Sequence, residues 1–160
     1  MKKRAHELST NGKMKIQIAS KEDIFLFKGI TEREADLDDM RILAESGLDW
    51  KTIKQECQNQ TILSGVLWES ALYQNILDLK EKYHIESPIE KPLRNAAERK
   101  LIEITLTNEI KKGNNTIKNI TQKIKEPQSF VRIELKRLVI KGIVTVDKSH
   151  KPHKFFINKN

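Results

Sequence analysis

The chain has 160 residues, 38% of them apolar and 32% charged, with one cysteine and a net charge of +8. This allows one domain or two small ones with a true core. A lone Cys57 rules out an internal disulfide and fits a reducing compartment. No apolar stretch approaches the roughly 20 residues that span a bilayer.

The start, MKKRAHELSTNGK, is basic but lacks the apolar segment of a secretory signal. A cytoplasmic protein with no membrane partner is expected. The charge is uneven. Residues 1–95 carry 15 Lys and Arg against 16 Asp and Glu, whereas residues 96–160 carry 15 against 6. A compact basic module suits a polyanion, with nucleic acid the leading partner. The plainer reading is a solubilising excess of lysine.

Taken in chain order, Gly12 supplies a turn, and KMKIQIAS alternates Met14, Ile16 and Ile18 against Lys15 and Gln17, predicting a strand with one buried face. Ser20 with Asp23 predicts a capped short helix around IFLFKGI, ended by Gly29. Thr31 with Glu34 spells a capping box, Glu32 falls in the first turn, and Leu37, Met40, Ile42, Leu43 and Ala44 form an apolar stripe stopped by Gly47. Asp49 caps a helix that turns Trp50, Ile53 and Cys57 inward. A longer helix is predicted from about Thr61 to Tyr83, with Leu63, Val66, Leu67, Ala71, Leu72, Ile76 and Leu79 apolar. Trp50, Trp68, Tyr73 and Phe25 fall at helical core positions.

Seven acids lie between residues 20 and 41: Glu22, Asp23, Glu32, Glu34, Asp36, Asp38 and Asp39. Asp36 and Asp39 are three apart and can share a helix face. A cation site for phosphoryl transfer needs converging carboxylates and a phosphate grip, and the chain has no Gly-x-Gly and no P-loop. The acids read better as helix-start and solvent-facing residues, so no metal, cofactor or catalytic residue is assigned. Lys21, Lys28 and Arg33 lie near helix starts and are candidates to touch phosphate.

The stretch IASKEDIFLFKGITEREADLDDMRILAESGLDWKTI resembles the C-terminal part of a family of small prokaryotic nucleotidyltransferase-like proteins. The resemblance covers about residues 1–84. It implies catalytic elements mainly upstream, a Gly-Ser turn and an Asp-x-Asp pair, and neither occurs here. It also implies a carboxylate near the following strand, where Lys15 and Gln17 stand. The resemblance therefore makes residues 1–87 a truncated region of that fold, with KKRAHEL a remnant of the helix before the strand. A single strand has bare edges and needs a hairpin mate, a dimer partner or a companion catalytic chain.

HIESPIEKPLRN, with Pro88 and Pro92, reads as a linker over residues 88–95. Residues 96–160 follow as three helices and two strands. The first helix, AAERKLIEITLTNEIKKG, is predicted to bury Leu101, Ile104 (with Ile102) and Leu106. Asn114 and Asn115 cap a short second helix with Ile117, Ile120 and Ile124 inward, and Ser129 starts a third bearing Val131, Leu135 and Leu138. IVTV and KFFI flank the basic loop DKSHKPHK. This order is that of a winged helix-turn-helix, whose third helix fits the major groove. Gln128, Ser129, Arg132, Lys136 and Arg137 are expected to face out, with Gln128 or Arg132 at base edges and Ser129 and Lys136 on phosphates. Lys148, His150, Lys151, His153 and Lys154 belong to the wing. Thr116 and Lys118 start the second helix, where free N–H groups favour a phosphate. His150 and His153, with His6 and His84 remote, are too few for zinc.

Ser129, Val131, Leu135, Leu138, Gly142, Ile143 and Val144 also resemble the winged-helix signature of prokaryotic regulators. The fold class expected is mainly α with small β. The function expected is double-stranded DNA binding by a transcriptional regulator, working as a homodimer on two half-sites. The alternatives are a completing or non-catalytic subunit of a split nucleotidyltransferase and a protein-binding toxin–antitoxin or scaffold component.

Overall fold

The computed structural model describes residues 6–10, 14–31, 33–149 and 151–158. Gly12 and Glu32 lie outside them. The chain divides into two compact units, residues 1–97 and 98–160. Among the described residues there are seven helices and two separate antiparallel hairpins, a mainly α-helical fold with small β. No described helix is long and apolar enough to cross a membrane.

The first unit opens with β1 (His6–Thr10) and β2 (Met14–Ile18). They pair antiparallel, with His6 opposite Ile18 and Leu8 opposite Ile16. The expectation that KKRAHEL is helical is thus corrected at residues 6–8, which are extended. The predicted strand finds its mate inside the chain.

Four helices follow: α1 (Lys21–Lys28), α2 (Glu34–Glu45), α3 (Trp50–Ser64) and α4 (Trp68–Tyr83). Ser20 caps α1 by accepting from the Asp23 N–H at 3.2 Å. Asp49 caps α3 by accepting from the N–H groups of Lys51 and Thr52. Both caps agree with the sequence, because a short oxygen-bearing side chain there satisfies first-turn donors. The Thr31 box does not form. Helix α2 starts at Glu34, Arg33 is its cap residue, and the Thr31 hydroxyl instead donates to the Lys28 carbonyl and to Asp36.

The single helix predicted from Thr61 to Tyr83 is two. Gly65, at φ +71°, ends α3 in the left-handed conformation that a side chain disfavours. The break leaves Leu63 and Val66 exposed; Ile42 of α2 is exposed too.

Phe25, Leu26, Met40, Ile53, Cys57, Leu72, Ile76 and Leu79 make the core of this unit, with Trp50, Trp68 and Tyr73 packed on it. Phe25 and Trp50 meet edge to face at 5.3 Å. Gly29 closes α1 where a methyl group would lie 2.6 Å from Leu72 Cδ1 and 3.0 Å from Met40 Cε, so a larger residue there would have to displace the ends of these two core side chains. Burial, and then the nearby Glu69, push the Cys57 thiol up to about 12. It is a structural, unreactive thiol.

Helix α5 (Glu90–Lys111) begins six residues before the Ala96 start predicted for it. Residues 90–95, read as linker, are helical. Pro92 sits in the first turn of α5, where its missing N–H has no partner to lose within the helix. Leu93 of that segment and Ile89 just before it are buried in the first core. The division between the units falls within α5.

The second unit continues with α6 (Ile117–Ile124), α7 (Gln128–Ile140), β3 (Val144–Asp147) and β4 (Lys154–Ile157). Val144 faces Ile157 and Val146 faces Phe155 in the β3–β4 register. Its core is Leu106, Ile110, Ile120, Val131, Leu135, Leu138, Val144 and Phe155. Leu106 is buried and Ile102 packs on the core as expected, but two other residues are corrected: Leu101 is 64% exposed and Ile104 43%, while Glu103 and Ile110 are buried. Glu103 holds its place because Lys100 and Lys141 bind it, Lys141 at 2.8 Å. Burial works against its charge, but the two ammonium groups prevail and lower its pKa. The backbone N–H of Phe155 donates to the Asn115 carbonyl at 2.8 Å. This ties β4 to the segment between α5 and α6.

Candidate nucleic-acid interface

Of the acids that raised the question of a metal, Asp36, Asp38 and Asp39 are held by neighbours. Asp36, buried, accepts from Thr31, from Lys28 at 2.9 Å and from Arg33 at 3.0 Å. The Thr31 hydroxyl and the Lys28 ammonium lower its carboxyl to about 2, against a smaller opposing effect of burial. Lys28 also reaches Asp39 at 2.6 Å, and the Tyr83 hydroxyl donates to Asp38. Among the described residues, no three His, Cys, Asp or Glu side chains are grouped so as to hold a metal ion. The cations read as phosphate candidates are engaged as well. Lys21 donates to the Ser46 and Gly47 carbonyls at the end of α2, Lys28 bridges Asp36 and Asp39, and Arg33 pairs with Asp36.

The first unit also has a groove of about 770 Å³ between the start of α2 and α4. Its charged lining is balanced, Arg33 and Lys82 against Asp78 and Glu81. No single-sign field results.

The second unit differs. Helix α7 packs Val131, Leu135 and Leu138 into the core, and this spacing turns Ser129, Arg132, Ile133, Lys136 and Ile140 outward. Gln128 is exposed at its first turn. Arg132, Lys136 and Ile140 form one row four residues apart. This row and the β3–β4 hairpin enclose a groove of about 340 Å³. Ile117, Val139, Ile140, Val146 and Phe155 line it with hydrocarbon, and Arg132, Lys136, Lys148 and His153 add their basic side chains. Among the described residues, no acidic residue lines it.

The site residues read from the sequence therefore separate. Gln128, Ser129, Arg132, Lys136, Lys148, Lys151, His153, Lys154 and Lys118 are exposed. Arg132, Lys136, Lys148 and His153 are brought together around one groove. His150 lies outside the described residues. Two expectations are corrected. Arg137 does not simply face out: it is half-buried, pairs with Glu134 at 3.0 Å and donates to the Arg99 carbonyl. Thr116 is buried, and its hydroxyl caps α6 by accepting from the Asn119 N–H at 3.3 Å. It takes the capping role assigned to Asn114 and Asn115. Asn114 donates to Glu109 instead, and Asn115 offers its carbonyl to β4.

What the sequence reading missed is the apolar half of the groove. Ile140 was the available signal: it follows Lys136 by four positions and lies off the core stripe, so it had to share the outer face. Compared with protein-family models, with curated proteins and with solved structures, the chain matches none.

Proposed function

We propose that residues 98–160 are a winged helix-turn-helix that binds double-stranded DNA, and that the protein is a transcriptional regulator. One observation carries this reading: Arg132 and Lys136 of α7 and Lys148 and His153 beside the hairpin share one groove with no acid among the described residues of its lining. Elsewhere in this unit Lys100, Lys112, Arg137 and Lys141 are in ion pairs. Arg132, Lys136, Lys148, Lys151 and Lys154 form none among the described residues. Cations left without carboxylate partners on one face are what a phosphate backbone requires.

The order of elements supports the same reading. A short α6 leads through a tight turn to α7, and β4 is hydrogen-bonded to Asn115 ahead of α6. The hairpin is thereby held to the helical part by main chain as well as by Phe155. In this arrangement α7 enters the major groove and Gln128 and Arg132 meet base edges. Ser129, Lys136 and the hairpin lysines hold phosphates.

The test is a titration with random-sequence duplex at two salt concentrations. Four phosphate contacts give a log–log slope of about −4, or roughly a hundredfold loss from about 50 to 200 mM salt. Lys136→Ala flattens the slope by about one. After selection of a preferred sequence, Gln128→Ala with Arg132→Ala removes the preference and leaves residual salt-sensitive binding. Salt-independent or absent binding refutes the proposal.

A further inference from the structure

The groove between α7 and the β3–β4 hairpin has a property that DNA binding does not require. Its floor is hydrocarbon, and Ile140 is 86% exposed at its lip. A face made only for phosphate and base edges gains nothing from an isoleucine in water beside two cations. Hydrocarbon below and positive charge around the opening are complementary to a molecule with the reverse arrangement, an apolar tail ending in an anion.

We infer that this groove binds a small free carboxylate with a hydrocarbon chain, and that its occupation weakens DNA binding. The second clause rests on the function proposed above; the first does not. The tail lies along Ile117, Val139, Ile140, Val146 and Phe155. The carboxylate meets the side chains of Arg132, Lys136, Lys148 and His153. The volume of about 340 Å³ lies at the low end for ligand pockets. At roughly 30 Å³ per water-sized group it takes about ten heavy atoms, the size of octanoate. Because the same four side chains are proposed to meet DNA, a bound carboxylate neutralises part of that charge and stands where the duplex would approach.

The experiment uses the full chain with methyl-labelled Ile and Val, titrated with octanoate and followed by NMR. Octanoate is expected to shift the Ile140, Val139, Val146 and Ile117 methyls and to leave those of Ile53 and Ile76 in place. Affinity should rise about two- to fourfold per methylene from hexanoate to octanoate, then level off once the floor is covered. Octanol, without the charge, should bind about tenfold more weakly, and octylamine more weakly still. Ile140→Gln should weaken octanoate severalfold. Because Ile140 is exposed, the variant keeps its fold, as unmoved Val131 methyls would verify.

No shift of the lining methyls at about 10 mM octanoate overturns the inference, even if the duplex binds well. So does equal binding of octanol and octanoate. Octanoate binding by a protein that never binds duplex supports the site and refutes the DNA reading instead. When both bind, octanoate should raise the apparent duplex dissociation constant severalfold and octanol should not. An unchanged constant overturns the regulatory half.

Discussion

Asp36 gathers a lysine, a threonine and an arginine around one buried carboxylate. Those donors favour its charged form and lower its pKa to about 2, while an unfolded Asp titrates near 4. The sign follows from linkage. Asp36 contributes stability in full above about pH 4, and that contribution is lost as pH falls towards 2. Asp36→Asn should therefore melt at a lower temperature than the wild type at pH 7. The gap should narrow between pH 4 and pH 2. Thermal unfolding followed by circular dichroism at several pH values checks this, and a gap independent of pH contradicts it. The sequence announced an acidic cluster but not its partners. Lys28 and Asp36 are eight residues apart on different helices, and no helical or strand periodicity relates them.

Among the elements, some helix starts were legible and others were not. Ser20 and Asp49 cap as read, because a cap is a local event between a side chain and the next three residues. Thr31 looked the same in sequence and does not cap, since α2 starts at Glu34 with Arg33 as its cap residue, which leaves Thr31 two residues too early. On α5, apolar residues run at 101, 102, 104 and 106, so two overlapping stripes were available. The structure buries the one containing Glu103, a charge no apolar count would place inside. Pro92 misled for a related reason, as a proline in a first turn looks in sequence like one in a linker. The groove cations were legible because α7 has a single clear stripe, at 131, 135 and 138, that leaves the other face for solvent. Two helices end on left-handed non-glycine residues, α4 at His84 (φ 57°) and α6 at Lys125 (φ 59°). That conformation strains a side chain. Lys125→Gly should stabilise the protein by about 0.5–1 kcal/mol, net of the extra freedom glycine gives the unfolded chain. Urea denaturation measures it, and a loss of stability would show that Lys125 contributes more through its side chain than its backbone costs.

For the molecule as a whole, the two apolar clusters share no residue. The basic groove is built on the second cluster, through Ile117, Val139, Val146 and Phe155. Ile76→Ala and Leu135→Ala each open a cavity in a fully buried site and should each cost about 2–5 kcal/mol. Their functional consequences should differ. Under conditions where both remain folded, duplex affinity should be kept by Ile76→Ala and reduced by Leu135→Ala, as fluorescence anisotropy would show. Equal loss in both would mean that the first cluster also supports the groove. The charge division agrees with this separation, since the excess of Lys and Arg belongs to residues 96–160.

Cys57 is enclosed by the first core and keeps its proton across the physiological range. Maleimide dyes will pass it by in the native protein. One surface thiol introduced at Lys151 or Ile62 would then carry a single fluorophore, with no need to delete the natural sulfur first.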